Sequence, residues 1–376
     1  MRGILRISTV LLLISVCFFM MRLPCSADTD DPLQAIQERL YALDIPQDAD
    51  DALRDLDVDP ADPAGITALS PGSVWQRLRQ TITEEAAAPL RLCGMLLSLT
   101  VLTALLGGFS DAAAGDTLRQ QYDTVCTLIC VCTAVKPVCT CLIRTADALS
   151  DGQVFMAGFV PVFAAFLAAG GSVAGSSTYQ VFVLFLTEGF MQLTNAVLFP
   201  LLQMGTAAGI ADAIAPRLKL GRLADGFRTA VTWLLGTVTA LFSAMLSVRS
   251  FVASAADTLA SKSVRLLTAG IPIVGSAVSE AYSTVQGSIR LLRNGTGAVG
   301  VLVILWLTLP PLLSLLIYRA VFWLMQLFSE LAGAESLAKL YKNMQTVLSA
   351  AFAMLICDAV MLTVSGALMI LLTGAQ

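Results

Sequence analysis

AVGVLVILWLTLPPLLSLLIY, residues 298–318, contains no charged side chain. A run of this length is what a helix needs to cross the ~30 Å hydrocarbon core of a bilayer, for which about 20 apolar residues suffice. Comparable runs occupy residues 92–109, 124–143, 181–204, 231–248 and 350–372. Hydrophobic residues make up 56% of the 376-residue chain and charged residues only 13%, about half the usual charged share of a soluble domain. The chain therefore reads as an all-α polytopic membrane protein. Two further segments, 154–171 and 264–282, are about as long but less uniformly apolar. Each suits a crossing, a dip into the membrane or a surface position, so the expected number of membrane segments is six to eight.

These two segments share a proline-centred element. The first reads Ala157-Gly158-Phe159-Val160-Pro161-Val162 and the second Ala269-Gly270-Ile271-Pro272-Ile273-Val274. An equal spacing of 39 residues follows each, from Pro161 to Pro200 and from Pro272 to Pro311. Duplicated hydrophobic units broken at corresponding places are common in transporter folds, because the breaks let backbone groups line a polar cavity. The sequence thus suggests an internal duplication, with structural breaks at Gly158, Pro161, Pro200, Gly270, Pro272, Gly275, Pro310 and Pro311. The competing reading is chance recurrence of residues common in any membrane protein.

The N-terminus has Arg2 and Arg6, an apolar stretch over residues 10–21, and then Cys25-Ser26-Ala27. This is the pattern of a cleavable secretory signal over residues 1–27. Residues 28–85 hold fourteen acids against four arginines, whereas the rest of the chain beyond them holds thirteen acids and sixteen bases. A small acidic extracytoplasmic segment, 28–86, is expected, since basic rather than acidic residues hold loops in the cytoplasm. Leu33, Ile36, Leu40 and Leu43 predict a short amphipathic helix there. Residues 48–63 read as a solvated acidic linker, because Asp55-x-Asp57-x-Asp59 lacks the Gly and Glu of a calcium loop, with Pro60 and Ile66 at those places. The membrane region divides into halves at 87–227 and 228–376. Between the spans, an amphipathic stripe runs from Val274 to Leu292 and suits an interface or a partner.

No histidine occurs, which removes the usual general base, the Ser-His and Cys-His pairs and the HExxH zinc motif. No Walker A loop is present either, and Ser261-Lys262-Ser263 fits a lysine at the headgroups better than a catalytic pair. The expectation is a protein without catalytic residues, cofactor or metal, bound to lipid and not to nucleic acid. The cysteines between Cys126 and Cys141 read as small apolar packing residues.

Polar groups inside spans carry most of the remaining information, because a charge at mid-bilayer costs at least ~2.5 kcal/mol and usually faces protein or a water-filled cavity. Lys136, Glu188 and Asp358 qualify. Glu188, Gln192 and Asn195 are spaced i, i+4, i+7 and predict a polar stripe facing other helices. Two readings stand: a lining for a solute path, or adhesion between helices, with Lys136 as a possible ion-pair partner for Glu188.

The order of parts, with Lys262-Ser263-x-Arg265 leading into Gly270-Ile271-Pro272-Ile273-Val274-Gly275 and with Glu280 and Gly287 beyond, resembles the stage III sporulation protein AE family of endospore-forming bacteria. The resemblance is strongest over residues 261–311. It implies a multi-pass protein of the mother-cell membrane around the forespore, with its N-terminal segment extracytoplasmic. It also implies membership of a channel or secretion complex joining the two cells and needed for late forespore development. Its implied partners are the other stage III operon proteins, including an ATPase and ring-forming proteins, and a forespore membrane protein. The alternatives are a membrane scaffold for that complex without a conduit of its own, and an autonomous secondary transporter.

Overall fold

The computed structural model describes residues 45–55, 71–113, 115–169, 173–214, 220–268 and 275–374. All regular structure among them is helical. The helices are α1 (Gln47–Asp55), α2 (Pro71–Ala113), α3 (Gly115–Ala169), α4 (Val173–Leu193), α5 (Phe199–Ile214), α6 (Gly221–Thr268), α7 (Gly275–Leu331) and α8 (Glu335–Gly374). A single π turn, Thr194–Leu198, joins α4 to α5.

Among the described residues, five stretches are long and apolar enough to cross a membrane: Gly72–Leu106, Thr124–Ala165, Val183–Ile214, Gly297–Leu331 and Glu335–Gly366. They overlap five of the six runs expected from the sequence. The sixth, 231–248, lies within α6 but is not among the five. The side chains of α6 beyond residue 245 lie outside the described residues, so this run is described only in part. The runs 124–143 and 154–171, expected as separate segments, share the single helix α3. With 55 and 57 residues at about 1.5 Å each, α3 and α7 run for roughly 80 Å. That is more than twice a ~30 Å hydrocarbon core, so no single bilayer encloses either helix from end to end.

Buried side chains form two clusters along this length. The first contains Leu92 and Leu96 of α2, Cys130 and Val138 of α3, Leu202 of α5, Val231 of α6, Phe322 of α7 and Tyr341 of α8. The Tyr341 hydroxyl lies 3.1 Å from Thr100 Oγ1 and donates to Cys130 Sγ at 3.6 Å, giving this core a polar tie between α2, α3 and α8. The second contains Leu53 of α1, Phe155, Phe159 and Phe163 of α3, Val303 and Trp306 of α7 and Leu362 of α8. Along α3 and α7 the chain passes from one core to the other between Leu149 and Phe155 and between Leu307 and Leu315.

The α7–α8 connection fixes these two helices antiparallel. Gly333 has φ 73°, a conformation that glycine adopts without a Cβ penalty. Its N–H donates to the Glu330 carbonyl at 3.2 Å while Ala334 N–H donates to the Ser329 carbonyl at 2.9 Å. This is the paired closure of a Schellman turn.

Several sequence expectations meet a different structure. Residues 48–55 are not solvated linker: they belong to α1, whose Ala49, Ala52 and Leu53 are buried in the second core, because three apolar residues on one side of a helix can dock. The division at 86/87 falls inside α2, which continues from the acidic segment into the apolar one without interruption. Gly158, Pro161, Pro310 and Pro311 lie inside helices instead of ending them. Each proline removes one helical donor, and long flanking helices on packed cores retain the remainder.

Pro200 behaves differently. It follows the π turn, in which Phe199 N–H reaches the Thr194 carbonyl; one extra residue per turn relieves the clash of a proline ring with the carbonyl four residues back. Gly275 begins α7, whereas Gly270 and Pro272 lie outside the described residues. The equal 39-residue spacings thus enclose unlike structures: one contains the end of α3 and the start of α4, and the other is mostly the unbroken α7. The signal segment 1–27 and the amphipathic helix near Leu33 also lie outside the described residues, as do the side chains of the stripe from Val274 to Leu292.

Candidate functional site

Between the two cores is a groove of about 370 Å³ lined by α1, α2, α3 and α7. Asp51 comes from α1, Arg77, Thr81, Glu84 and Glu85 from α2, and Arg144, Asp147 and Asp151 from α3. Five carboxylates face two guanidinium groups. Helical spacing brings them together: Arg77, Thr81, Glu84 and Glu85 share one side of α2, and Arg144, Asp147 and Asp151 recur at i, i+3, i+7 on α3. Arg144 Nη1 donates to Glu85 Oε2 at 3.0 Å and ties the two helices.

The fourth wall is Leu307, Pro310 and Pro311 of α7. Neither proline has an N–H, so the carbonyls of Trp306 and Leu307 lose their helical donors beside the groove. The pair thus breaks the hydrogen-bond ladder without ending the helix, where the cores change over.

Asp358 and Glu188 sit close to the same level. Asp358 of α8 is only 5% exposed, and its Oδ2 has no hydrogen-bond partner among the described residues. A Cβ placed on Gly152 would lie 3.7 Å from that oxygen and 3.9 Å from Leu307 Cδ2, so Asp358 lies behind the groove wall, one residue beyond Asp151. Glu188 is exposed on α4. Gln153 donates to its Oε2, and Gln192 donates to its Oε1 at 3.0 Å.

The expected ion pair between Lys136 and Glu188 is not formed. Gln153, which holds Glu188, is 17 residues beyond Lys136 on α3, roughly 25 Å along the axis. Lys136 is exposed. Gln192 and Asn195 are also exposed, so the stripe on α4 faces outward and not into the bundle, because Val183, Phe190 and Thr194 occupy the inner side. Among the described residues, no group of His, Cys, Asp and Glu could hold a metal ion. Cys130 and Cys141 are buried free thiols, while Cys132 and Cys139 are exposed.

Sequence reasoning missed the groove because Arg144, Asp147 and Asp151 fall between two apolar runs that were expected as separate segments. Their i, i+3, i+7 spacing, with no Gly or Pro among them, was the available signal for a helix that continues through.

The sequence profile of the family described as stage III sporulation protein AE matches residues 62–373. The chain belongs to that family. Every α2, α3 and α7 residue of the groove lies within the matched region, and Asp51 precedes it. The Bacillus subtilis (strain 168) protein named stage III sporulation protein AE is 21% identical over 253 residues, covering 67% of this chain and 63% of the relative. The alignment thus spans under two thirds of that relative's length. No solved structure matches this chain.

Proposed function

We propose that this stage III sporulation protein AE family member is a non-catalytic integral membrane subunit of the channel or secretion complex between mother cell and forespore, and that it supplies part of a solute path. Its place is the mother-cell membrane around the forespore, with the N-terminal segment outside the cytoplasm. Its partners are other stage III operon proteins and a forespore membrane protein. One observation supports the conduit role over a closed scaffold: a charged groove, walled on one side by a continuous helix whose hydrogen-bond ladder is broken at Pro310 and Pro311, lies between two apolar cores. Charged groups among apolar spans are retained where they face protein or a water-filled path, and broken helical ladders are tolerated where freed carbonyls can be solvated.

The test is to replace Glu84 and Asp147 together by leucine in the sporulating host. A conduit predicts normal abundance and normal co-purification with the complex, with late forespore gene expression lost. Development that proceeds normally despite the apolar groove would leave the scaffold reading in its place.

A further inference from the structure

Among the described residues, helix α2 packs through one of its sides. Leu92, Leu96, Thr100 and Thr103 are buried where α2 packs on α3 and α7. On another side Ala87, Leu90, Gly94, Leu97 and Val101 are all exposed, and their spacing of 3, 4, 3 and 4 is a heptad seam. Leu90, Leu97 and Val101 are 63%, 37% and 49% exposed. A Cβ placed on Gly94 would meet nothing within 4 Å, so another backbone can approach closely there. Pro89 is buried and lies off the seam.

We propose that this face of α2 pairs with the same face of a second copy of the chain. Two copies inserted in one membrane share a two-fold axis only if it runs along the membrane normal, which makes their α2 helices parallel. A heptad seam is self-complementary in that arrangement.

Charge favours a second copy over lipid. The repeat continues through Gln76, Gln80 and Thr83, all exposed, into a part of α2 that hydrocarbon does not favour. Arg79 precedes a seam residue and Glu84 follows one, five positions later, and both are exposed. In a parallel pair these are facing g and e positions, so Arg79 of each copy meets Glu84 of the other. Glu84 lies at the edge of both the groove and the seam, but dimer yield reads the pairing alone, whether or not the groove conducts.

The experiment uses the full-length chain in membranes under mild oxidation. Leu90→Cys, Leu97→Cys and Val101→Cys are each expected to give disulfide-linked dimer about fivefold above the background of the native cysteines, because only seam positions bring two sulfurs within bonding reach. Met95→Cys and Leu102→Cys, on the neighbouring side, stay at background. Adding Arg79→Glu to Leu97→Cys lowers the yield about threefold, the scale of an exposed ion pair. Adding Arg79→Glu with Glu84→Arg restores it, which a misfolded chain cannot do. Equal cross-linking around the helix, a swap that fails to restore the dimer, or products only with another polypeptide would each overturn the proposal.

Discussion

Asp358 and Glu188 are both carboxylates in long apolar helices, and both meet the same turn of α3, at Gly152 and Gln153. Their surroundings are opposite. Asp358 has Leu307 and Leu362 around the Gly152 contact and an oxygen without a partner, whereas Glu188 is exposed and receives hydrogen bonds from two amides. Hydropathy treats the two alike, but their energetics differ. A polar atom buried without a partner costs ~1–3 kcal/mol, and such a cost is kept where a group has a task or where neighbouring packing holds it. An exposed, hydrogen-bonded carboxylate carries no such cost.

Charge reversal at both sites tests this contrast most severely. Asp358→Lys places an unpaired cation among Leu307 and Leu362 and is expected to cost about 3–5 kcal/mol. Size-exclusion chromatography after detergent extraction should show the monodisperse peak lost. Glu188→Lys leaves the peak in place, since its side chain can turn outward. Equal damage from the two would mean that Glu188 is covered by a partner in the membrane.

What the sequence made legible follows from what each argument measures. Span-length apolarity located the spans, because hydrocarbon selects for uncharged residues over a fixed length. It did not show that 124–143 and 154–171 form one helix, because Arg144, Asp147 and Asp151 look like a loop when only hydropathy is counted. Asp358 was recognisable as unusual for the same reason that Glu188 was: a charge in an apolar run. Which of the two is buried depends on side-chain partners from α3 and α7, and a single chain's periodicity does not record these. Asp55-x-Asp57-x-Asp59 drew attention to charge nearby, while Ala49, Ala52 and Leu53, the apolar residues that dock α1, are too few to stand out.

The groove provides a second, smaller contrast through its ion pair. The side chains of Arg144 and Glu85 are 55% and 18% exposed, so their removal is asymmetric. Arg144→Ala leaves a largely covered carboxylate without its partner and is expected to cost about 1–2 kcal/mol. Glu85→Ala leaves a cation that water already reaches and costs less than about 1 kcal/mol. Thermal unfolding followed in the same detergent should rank the single variants in that order, and the double replacement, which strands no carboxylate, should fall close to Glu85→Ala alone. A reversed order would mean that Arg144, not Glu85, is the enclosed member, placing the outer rim of the groove on α2.

The smallest effect is expected at Glu188→Gln. In detergent the replacement keeps an amide oxygen for Gln153 or Gln192 and disturbs no packed side chain, so the change in stability should stay under about 0.5 kcal/mol. Its value lies in pairing a stability measurement with sporulation efficiency. If α4 only touches lipid or neighbouring helices, both readouts stay at the unsubstituted level. If Glu188 extends the groove's charge around α3 through Gln153, development falls while stability does not. That outcome would join the exposed carboxylate to the path that Asp358 lies behind, since a residue with no structural cost can lower function only through what it contacts outside its own helix.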